Sequence, residues 1–225
     1  MRQRSMRPSS LPLIVALALA ATALAMTTAC ADSSPAVEAL EAEAAYTRGV
    51  ELREDRQLQN ALREFNEALR LNPRYAEAYA ARASVYYEFG DESNTISDLN
   101  SALRLNPEVA EAYYYRGLIY IDRGRSDDAV TNLTKALQLA PDFTDAYYNR
   151  ARVYFALEDL DAALGDLSSA LEIEADAARL YYLRAQVHLL AGDTERGISD
   201  IERTLELTND EALAARAKEL LALLR

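Results

Sequence analysis

The sequence predicts an all-α solenoid built from repeated helical hairpins, and three observations lead to this prediction. First, much of the 225-residue sequence matches itself when it is shifted by 34 residues. A fixed period of this length is typical of repeat architectures. Second, Tyr113, Gly117 and Tyr120 are spaced by four and three residues, which places them on one face of a helix. Third, turn residues separate the helical stretches at the same interval. The prolines that recur with this period are Pro73, Pro107 and Pro141.

The unit that repeats is clearest in residues 110–143. Its first helix is followed by Gly124, which permits the positive φ that a helix end often needs. Ala129 and Leu133 then mark one face of a second helix. Pro141 ends that helix, because its ring cannot continue the hydrogen-bond ladder. The unit is therefore a helix, a turn, a second helix and a proline turn.

This unit resembles the tetratricopeptide repeat (TPR), whose consensus has aromatic, small and tyrosine positions in the first helix and alanine, large apolar, alanine and proline positions afterwards. The resemblance implies a right-handed superhelix of about five repeats. These run over residues 42–75, 76–109, 110–143, 144–177 and 178–211. Departures from the pattern lie at the ends, where terminal repeats are expected to be atypical. They are Ala45, His188, Thr204, Ala175 and Asn209.

The N-terminal segment differs in composition from the repeats. Arg2, Arg4 and Arg7 carry its only charges, and a predominantly apolar run of fourteen residues follows from Leu13 to Met26. Such a run is too short to span a bilayer as a helix but suits the core of a secretory signal. We therefore expect the chain to be exported.

The lone cysteine, Cys30, lies where this segment ends and follows a small alanine. The stretch resembles the cleavage box of bacterial lipoproteins, which implies a signal peptide over residues 1–29 and a lipidated cysteine and tether over residues 30–37. Ala31, in place of an aspartate, implies the periplasmic face of the outer membrane if the host is Gram-negative. The alternative is cleavage by a signal peptidase nearby, which would give a soluble secreted protein with a stray cysteine.

Two features bracket the repeat region, residues 38–211. Good helix formers with early acids place the start of the first helix near Val37. After the fifth repeat, Asp210 is the predicted N-cap of a last helix to Leu224, so that residues 212–225 form a capping helix. Its apolar stripe consists of Leu213, Ala217, Leu220 and Leu224.

Charge and cysteine content narrow the classes of partner. The net charge is −12, and removal of the three N-terminal arginines makes it −15. A protein this acidic is repelled by phosphate backbones and anionic lipid heads, so we expect no nucleic acid partner and membrane contact through the lipid alone.

With one cysteine in the chain, an internal disulfide is excluded. Stability must come from the stacking of helices.

No constellation that would support catalysis stands out in the sequence. His188, the only histidine, occupies a tyrosine position of repeat five, where we expect a half-buried packing residue. The acidic pairs Asp127-Asp128 and Asp159/Asp161 begin second helices, where carboxylates complement the helix dipole. We therefore expect neither an enzyme nor a metal or cofactor.

An arginine recurs at the same register of every first helix, and a polar residue recurs in every second helix. The arginines are Arg48, Arg82, Arg116, Arg150 and Arg184. The polar residues are Glu64, Asp98, Asn132, Asp166 and Asp200. We predict that each arginine pairs with the polar residue of its own hairpin in a structural ladder. The alternative is a ladder of arginines that binds anions.

The resemblance to TPR arrays implies that the first helices line a concave groove and that their exposed residues contact the ligand. Four tyrosines share one column of this groove, and four acids form a column along its rim. The predicted groove residues are Tyr46, Tyr87, Tyr114, Leu118, Tyr148, Arg152, Phe155, Tyr182 and Gln186. The rim acids are Glu43, Glu77, Glu111 and Asp145. The alternative is that some of the tyrosines pack against the next repeat.

This combination predicts a peptide or protein partner with apolar or aromatic anchors and basic flanks, since tyrosine gives a large contact area at small entropic cost. The chain is therefore expected to be a membrane-anchored adaptor or scaffold that holds a partner in its groove. The alternative is a self-associating structural component of an envelope assembly, in which the exposed end of the array stacks on a copy of itself.

Overall fold

The structure, a computed structural model, describes residues 35–224. The predicted signal peptide, Cys30 and most of the tether lie outside these residues. Within the described range the chain forms eleven helices and no strand. They are α1 (Pro35–Glu54), α2 (Leu58–Leu71), α3 (Ala76–Glu88), α4 (Glu92–Leu105), α5 (Ala110–Asp122), α6 (Ser126–Leu139), α7 (Thr144–Ala156), α8 (Leu160–Ile173), α9 (Ala178–Leu190), α10 (Thr194–Leu207) and α11 (Glu211–Ala222). The all-α solenoid predicted from the 34-residue period is confirmed.

The helices pair into five antiparallel hairpins, each closed by a turn with one residue of positive φ. That residue is a glycine in three hairpins, and it recurs every 34 residues. In the first and fourth hairpins Arg56 and Glu158 take its place, with φ of 61° and 59°. A side chain in this left-handed region costs about 1 kcal/mol or more. The turn geometry is therefore imposed by the packing of the two helices as well as by glycine.

Both ends of the array agree closely with the sequence pattern. Helix α1 begins at Pro35, two residues before the predicted start, and proline is well suited to the first turn because it lacks only an N–H that has no helical partner there. At the other end, the Asp210 carboxylate accepts hydrogen bonds from the backbone N–H groups of Ala212 and Leu213, at 2.8 and 3.3 Å. Asp210 is thus the N-cap of α11, as predicted.

The core is a series of similar layers, one for each hairpin. In every layer a large apolar side chain of the second helix, almost completely buried, faces a small residue of the first helix. The large residues are Phe65, Leu99, Leu133, Leu167 and Ile201. The large side chain approaches the small residue most closely in the first layer, where a Cβ added to Gly49 would lie 2.5 Å from the Phe65 ring. Small residues thus allow the paired backbones to approach one another.

The pattern of helix contacts defines the two faces of the array. First helices of successive repeats touch one another, whereas each second helix mainly contacts its own partner and the first helix that follows. The first helices are therefore the more crowded row and line the concave side. Among residues 35–224, no helix is long and apolar enough to cross a membrane.

Candidate functional site: the concave groove

A ladder of arginine pairs runs through the array and joins the first helix to the second helix in each hairpin. Arg82, Arg150 and Arg184 each make two parallel hydrogen bonds to an aspartate sixteen residues further on, at 2.6 to 2.9 Å. Arg48 contacts Glu64 at 2.7 Å, and Arg116 donates to the Asn132 amide oxygen at 2.6 Å. The partner observed in each hairpin is the one that the spacing predicts.

The ladder also joins neighbouring repeats. Arg82 donates to Asn66, and Arg150 donates to Thr134, at 2.7 and 2.8 Å; both acceptors lie on the second helix of the preceding repeat. These guanidinium groups are engaged on two sides. That arrangement leaves them few donors for a ligand, which favours the structural interpretation of the ladder over anion binding.

The column of tyrosines is not uniformly open, because the last residue of each repeat covers some of the rings. Tyr75 lies 5.0 Å from Tyr46, and Phe143 lies 4.6 Å from Tyr114, measured between ring centroids. Burial raises the pKa of Tyr46 to about 12. Tyr114 is only 8% exposed, and its hydroxyl accepts a hydrogen bond from Asn149 at 3.1 Å. The prediction that Tyr114 offers its ring to a ligand is therefore wrong.

Among residues 35–224, no aromatic ring covers the other two tyrosines of the column in this way. The position that holds Tyr75 and Phe143 in earlier repeats is Ala177 in repeat four, so the Tyr148 ring meets arginines instead. The guanidinium carbon of Arg179 lies 5.3 Å from the Tyr148 centroid, and that of Arg152 lies 5.9 Å from it. Tyr182 is contacted by Arg216 in the same way, at 5.6 Å.

Contacts within the protein connect the first helices in the N-terminal half of the groove, where Tyr87 lines a separate cavity of about 350 Å³. Arg53 of α1 donates to Ser84 of α3 and to Glu111 of α5, so that one side chain bridges three repeats. Burial, together with the nearby Glu111 carboxylate, raises the pKa of Tyr115 to about 12. Further along, the Tyr87 hydroxyl donates to Asp122 at 2.8 Å. The hydrogen-bonding and charged groups of these side chains are therefore largely paired with one another.

The C-terminal half of the groove contains an open cavity of about 580 Å³ between α7, α9 and α11. It brings together five of the predicted groove residues, and we call it the C-terminal pocket. Those five are Tyr148, Arg152, Phe155, Tyr182 and Gln186. Arg179, Leu183, Asp210, Leu213 and Arg216 complete its lining. The remaining predicted residues, Tyr46, Tyr87, Tyr114 and Leu118, lie on α1, α3 and α5, outside this pocket.

The sequence analysis missed Arg179 and Arg216, although each continues a column with the 34-residue period. Arg179 is the fifth member of the rim column, where the first four members are acids. Arg216 stands one period after Tyr182, because α11 continues the register of the first helices. Extending both columns by one repeat would have identified these two arginines.

Most of the rim acids are already paired within the chain. Glu111 bonds Arg53, Asp145 forms an ion pair with Arg179 at 2.7 Å, and Glu77 accepts from the Asn106 amide at 3.1 Å. The acidic column therefore offers less charge to a basic partner than the sequence indicates.

His188 lies among packed side chains and is only 8% exposed. Burial lowers its pKa from the ordinary value. Its nearest acid, Asp200, is 4.0 Å away and already bonds Arg184. In residues 35–224, no group of three or more histidine, cysteine or acidic side chains is placed to hold a metal ion.

Comparison with known families identifies the repeats. A model described as tetratricopeptide repeat matches residues 46–94 and 148–212, which together make up more than half of the chain. The chain belongs to the tetratricopeptide repeat family. A second TPR repeat model matches residues 117–157. No curated protein matches the sequence.

Solved TPR structures share this architecture over most of their length. Pseudomonas aeruginosa pilF is 16% identical, with a TM-score of 0.70 over 82% of this chain and 86% of that one. A thermophilic TPR protein of Thermus thermophilus, TTC0263, is 22% identical, with a TM-score of 0.66 over 80% and 99%. YrrB, described as a TPR protein with an unusual peptide-binding site, is 21% identical, with a TM-score of 0.57 over 78% and 90%. At these identities the likeness shows the fold alone.

Proposed function

We propose that this TPR protein binds an extended segment of a partner protein in its concave groove, with the C-terminal pocket as the principal contact. The observation that carries the proposal is the pair of column tyrosines, Tyr148 and Tyr182, which lack aromatic cover and line a cavity of about 580 Å³. Rigid aromatic rings beside a concave cavity are common anchors of peptide recognition. The peptide-binding site described for YrrB, a protein of the same fold, supports the same kind of ligand.

Selection of displayed random peptides on the full chain in mild detergent tests this proposal. We expect the selected peptides to bind the parent protein and to bind a Y148A/Y182A variant about tenfold more weakly or worse, since both anchors are removed. The matched control is Y147A/Y181A, which removes the preceding tyrosine from each of the same two helices. Those tyrosines point about 100° away, so the control should lose stability but keep affinity. Equal loss of affinity in both variants would contradict the proposal.

We further propose that lipid on Cys30 holds the array at a bacterial membrane, on the periplasmic face of the outer membrane in a Gram-negative host, so that the protein works as an anchored adaptor. The arginines at the start of the chain, the apolar run and the small residues before Cys30 support this proposal. In the host, the parent protein should incorporate labelled palmitate and fractionate with membranes, and Cys30→Ala should do neither. Recovery of unmodified parent protein in the soluble fraction would refute anchoring.

A second candidate function is self-association of arrays end to end. It is favoured by exposed leucines at the two ends of the described chain, since Leu40 is 66% exposed and Leu223 is 79% exposed. Sedimentation at increasing protein concentration should then reveal a rising mass, which L40E/L223E abolishes. A mass independent of concentration would remove this candidate and leave groove binding unaffected.

A further inference from the structure

The C-terminal pocket is cationic although the protein as a whole carries a net charge of −12. Three arginines line it, one from each of α7, α9 and α11: Arg152, Arg179 and Arg216. Arg179 is paired with Asp145. Among residues 35–224, neither Arg152 nor Arg216 has a carboxylate partner. Arg152 donates to the Asn149 amide oxygen at 3.0 Å, and Arg216 donates to the Ala212 carbonyl at 3.4 Å.

The tyrosine rings hold these guanidinium groups in place without using up their donors. Arg152 and Arg179 both lie over Tyr148, and Arg216 lies over Tyr182. A ring offers no N or O acceptor atom, and each guanidinium carries five N–H donors, of which one is hydrogen-bonded in Arg152 and one in Arg216. Donors therefore remain for a ligand, and a carboxylate is the group that a guanidinium binds best.

We propose that the C-terminal pocket selects an acidic segment of the bound peptide, with at least two aspartate or glutamate side chains facing Arg152 and Arg216. This inference rests on the proposed function, because it assigns the chemistry of the ligand in the same groove. The bound segment places its acids over the arginines and an apolar side chain between them against Phe155 and Tyr182, which line the same pocket.

The placement of Arg152 and Arg216 on helices that are not neighbours favours an internal acidic segment over a single chain-terminal carboxylate. Packed helices lie about 8–10 Å apart, so α7 and α11, with α9 between them, are separated by roughly 20 Å. An extended chain covers that distance in about six residues at roughly 3.3 Å each. An extended segment can therefore place one acid at the arginine of each outer helix, whereas a single carboxylate has two oxygens, enough for one bidentate arginine contact.

The other charged groups in the groove determine at which end of it the acidic side chains of the segment bind. Asp210 also lines the pocket, but its carboxylate is used by the N–H groups at the start of α11. Towards α3 and α5 a separate cavity is lined by Glu88, Glu92 and Asp122. Glu88 and Glu92 are paired with Arg56 and Arg123, and Asp122 accepts a hydrogen bond from Tyr87. No arginine lines that cavity among residues 35–224, so the acids of the segment find their cationic partners at the end of the groove near α11.

Fluorescence anisotropy with three labelled peptides tests the inference on the full chain in detergent. The first probe is an amidated octapeptide with glutamate at positions 1 and 7, leucine at positions 3 and 5 and serine elsewhere, so that its acids and its apolar side chains share one face of the extended chain. The second replaces every glutamate with glutamine, and the third is the glutamine peptide with a free C-terminal carboxylate. We expect the parent protein to bind the first probe about tenfold more tightly than either of the others, with an affinity that falls as salt is raised.

Two charge-matched variants decide where the acids bind. R152Q/R216Q should reduce affinity for the acidic probe about tenfold, whereas R74Q/R104Q, which removes two exposed arginines outside the pocket, should leave it nearly unchanged. Equal binding of the first two probes by the parent overturns the inference. Tight, Arg152-dependent binding of the third probe also overturns it, in favour of a chain-end carboxylate. If display-selected peptides still depend on Tyr148 and Tyr182 in either case, the proposed function stands while this inference fails.

Discussion

The guanidinium of Arg53, in the first repeat, forms an ion pair with Glu111, in the third, at 2.5 Å. The same guanidinium also donates a hydrogen bond to the Ser84 hydroxyl in the second repeat, at 2.6 Å. Three first helices are therefore tied together at one point on the concave side. This contact lies in the N-terminal half of the groove, on helices that do not line the C-terminal pocket.

We expect Arg53→Gln to loosen the N-terminal repeats without unfolding the array. The ion pair is mostly buried, with side-chain exposures of 21% and 24%, so its loss should cost about 1–3 kcal/mol. Hydrogen exchange of α1 should speed up, while exchange in α9 and α10 stays unchanged. The control is Arg56→Gln, which removes an exposed ion pair to Glu88 and should change little. Identical exchange in both variants would show that the tie does not hold the repeats.

Arg150→Ala should destabilise the protein by about 2–4 kcal/mol, because it leaves the buried Asp166 carboxylate without its partner. Urea unfolding gives the free energy of unfolding, and R150A/D166A should recover part of the loss. Binding of display-selected peptides should be retained below the unfolding transition. A loss of peptide binding at an unchanged melting temperature would instead favour the anion-binding interpretation of the ladder.

Gly49→Ala should cost about 1–3 kcal/mol, since the added methyl group would overlap the Phe65 ring. The second repeat accommodates alanine at the same position, Ala83, beside the smaller Leu99, with both side chains buried. The compensating change is therefore Phe65→Leu. We expect G49A/F65L to be more stable than the sum of the two single changes predicts, as measured by thermal unfolding. Strict additivity would mean that the two positions do not share one packing constraint.

Stability should fall on mild acidification in a way that depends on His188. Burial lowers the pKa of this imidazole in the folded protein, so below its ordinary value of about 6.5 the unfolded chain binds the proton first. The free energy of unfolding should therefore drop as the pH falls through about 6.5. Replacement by the consensus residue, His188→Tyr, should remove this part of the drop. An equal drop in both proteins would assign the effect to carboxylates alone.

The helical hairpins, the N-cap Asp210 and the arginine partners could be predicted from the sequence because each depends on local spacing. Turn chemistry and the 34-residue period fix which residues share a face, and a hairpin brings residues sixteen apart together. These contacts form within one repeat, so no knowledge of the neighbouring repeats is needed to identify them.

The accessibility of the groove could not be predicted in the same way, because it depends on contacts between repeats. Tyr114 and Tyr148 occupy equivalent positions, yet Phe143 covers the first whereas Ala177 leaves the second to arginines. The span of Arg53 across three helices likewise depends on how the repeats stack. The pocket also draws on Arg216, which lies in a helix that the sequence indicated only as a cap.

The short separation between each ladder arginine and its partner bears on how quickly the chain folds. The paired residues are sixteen positions apart in every hairpin. Contacts of such low sequence separation close small loops, and proteins rich in them fold fast. Each hairpin can acquire its native arginine contact before the rest of the chain has been made. The array can therefore be assembled in order from one end, with little apolar surface exposed at any time.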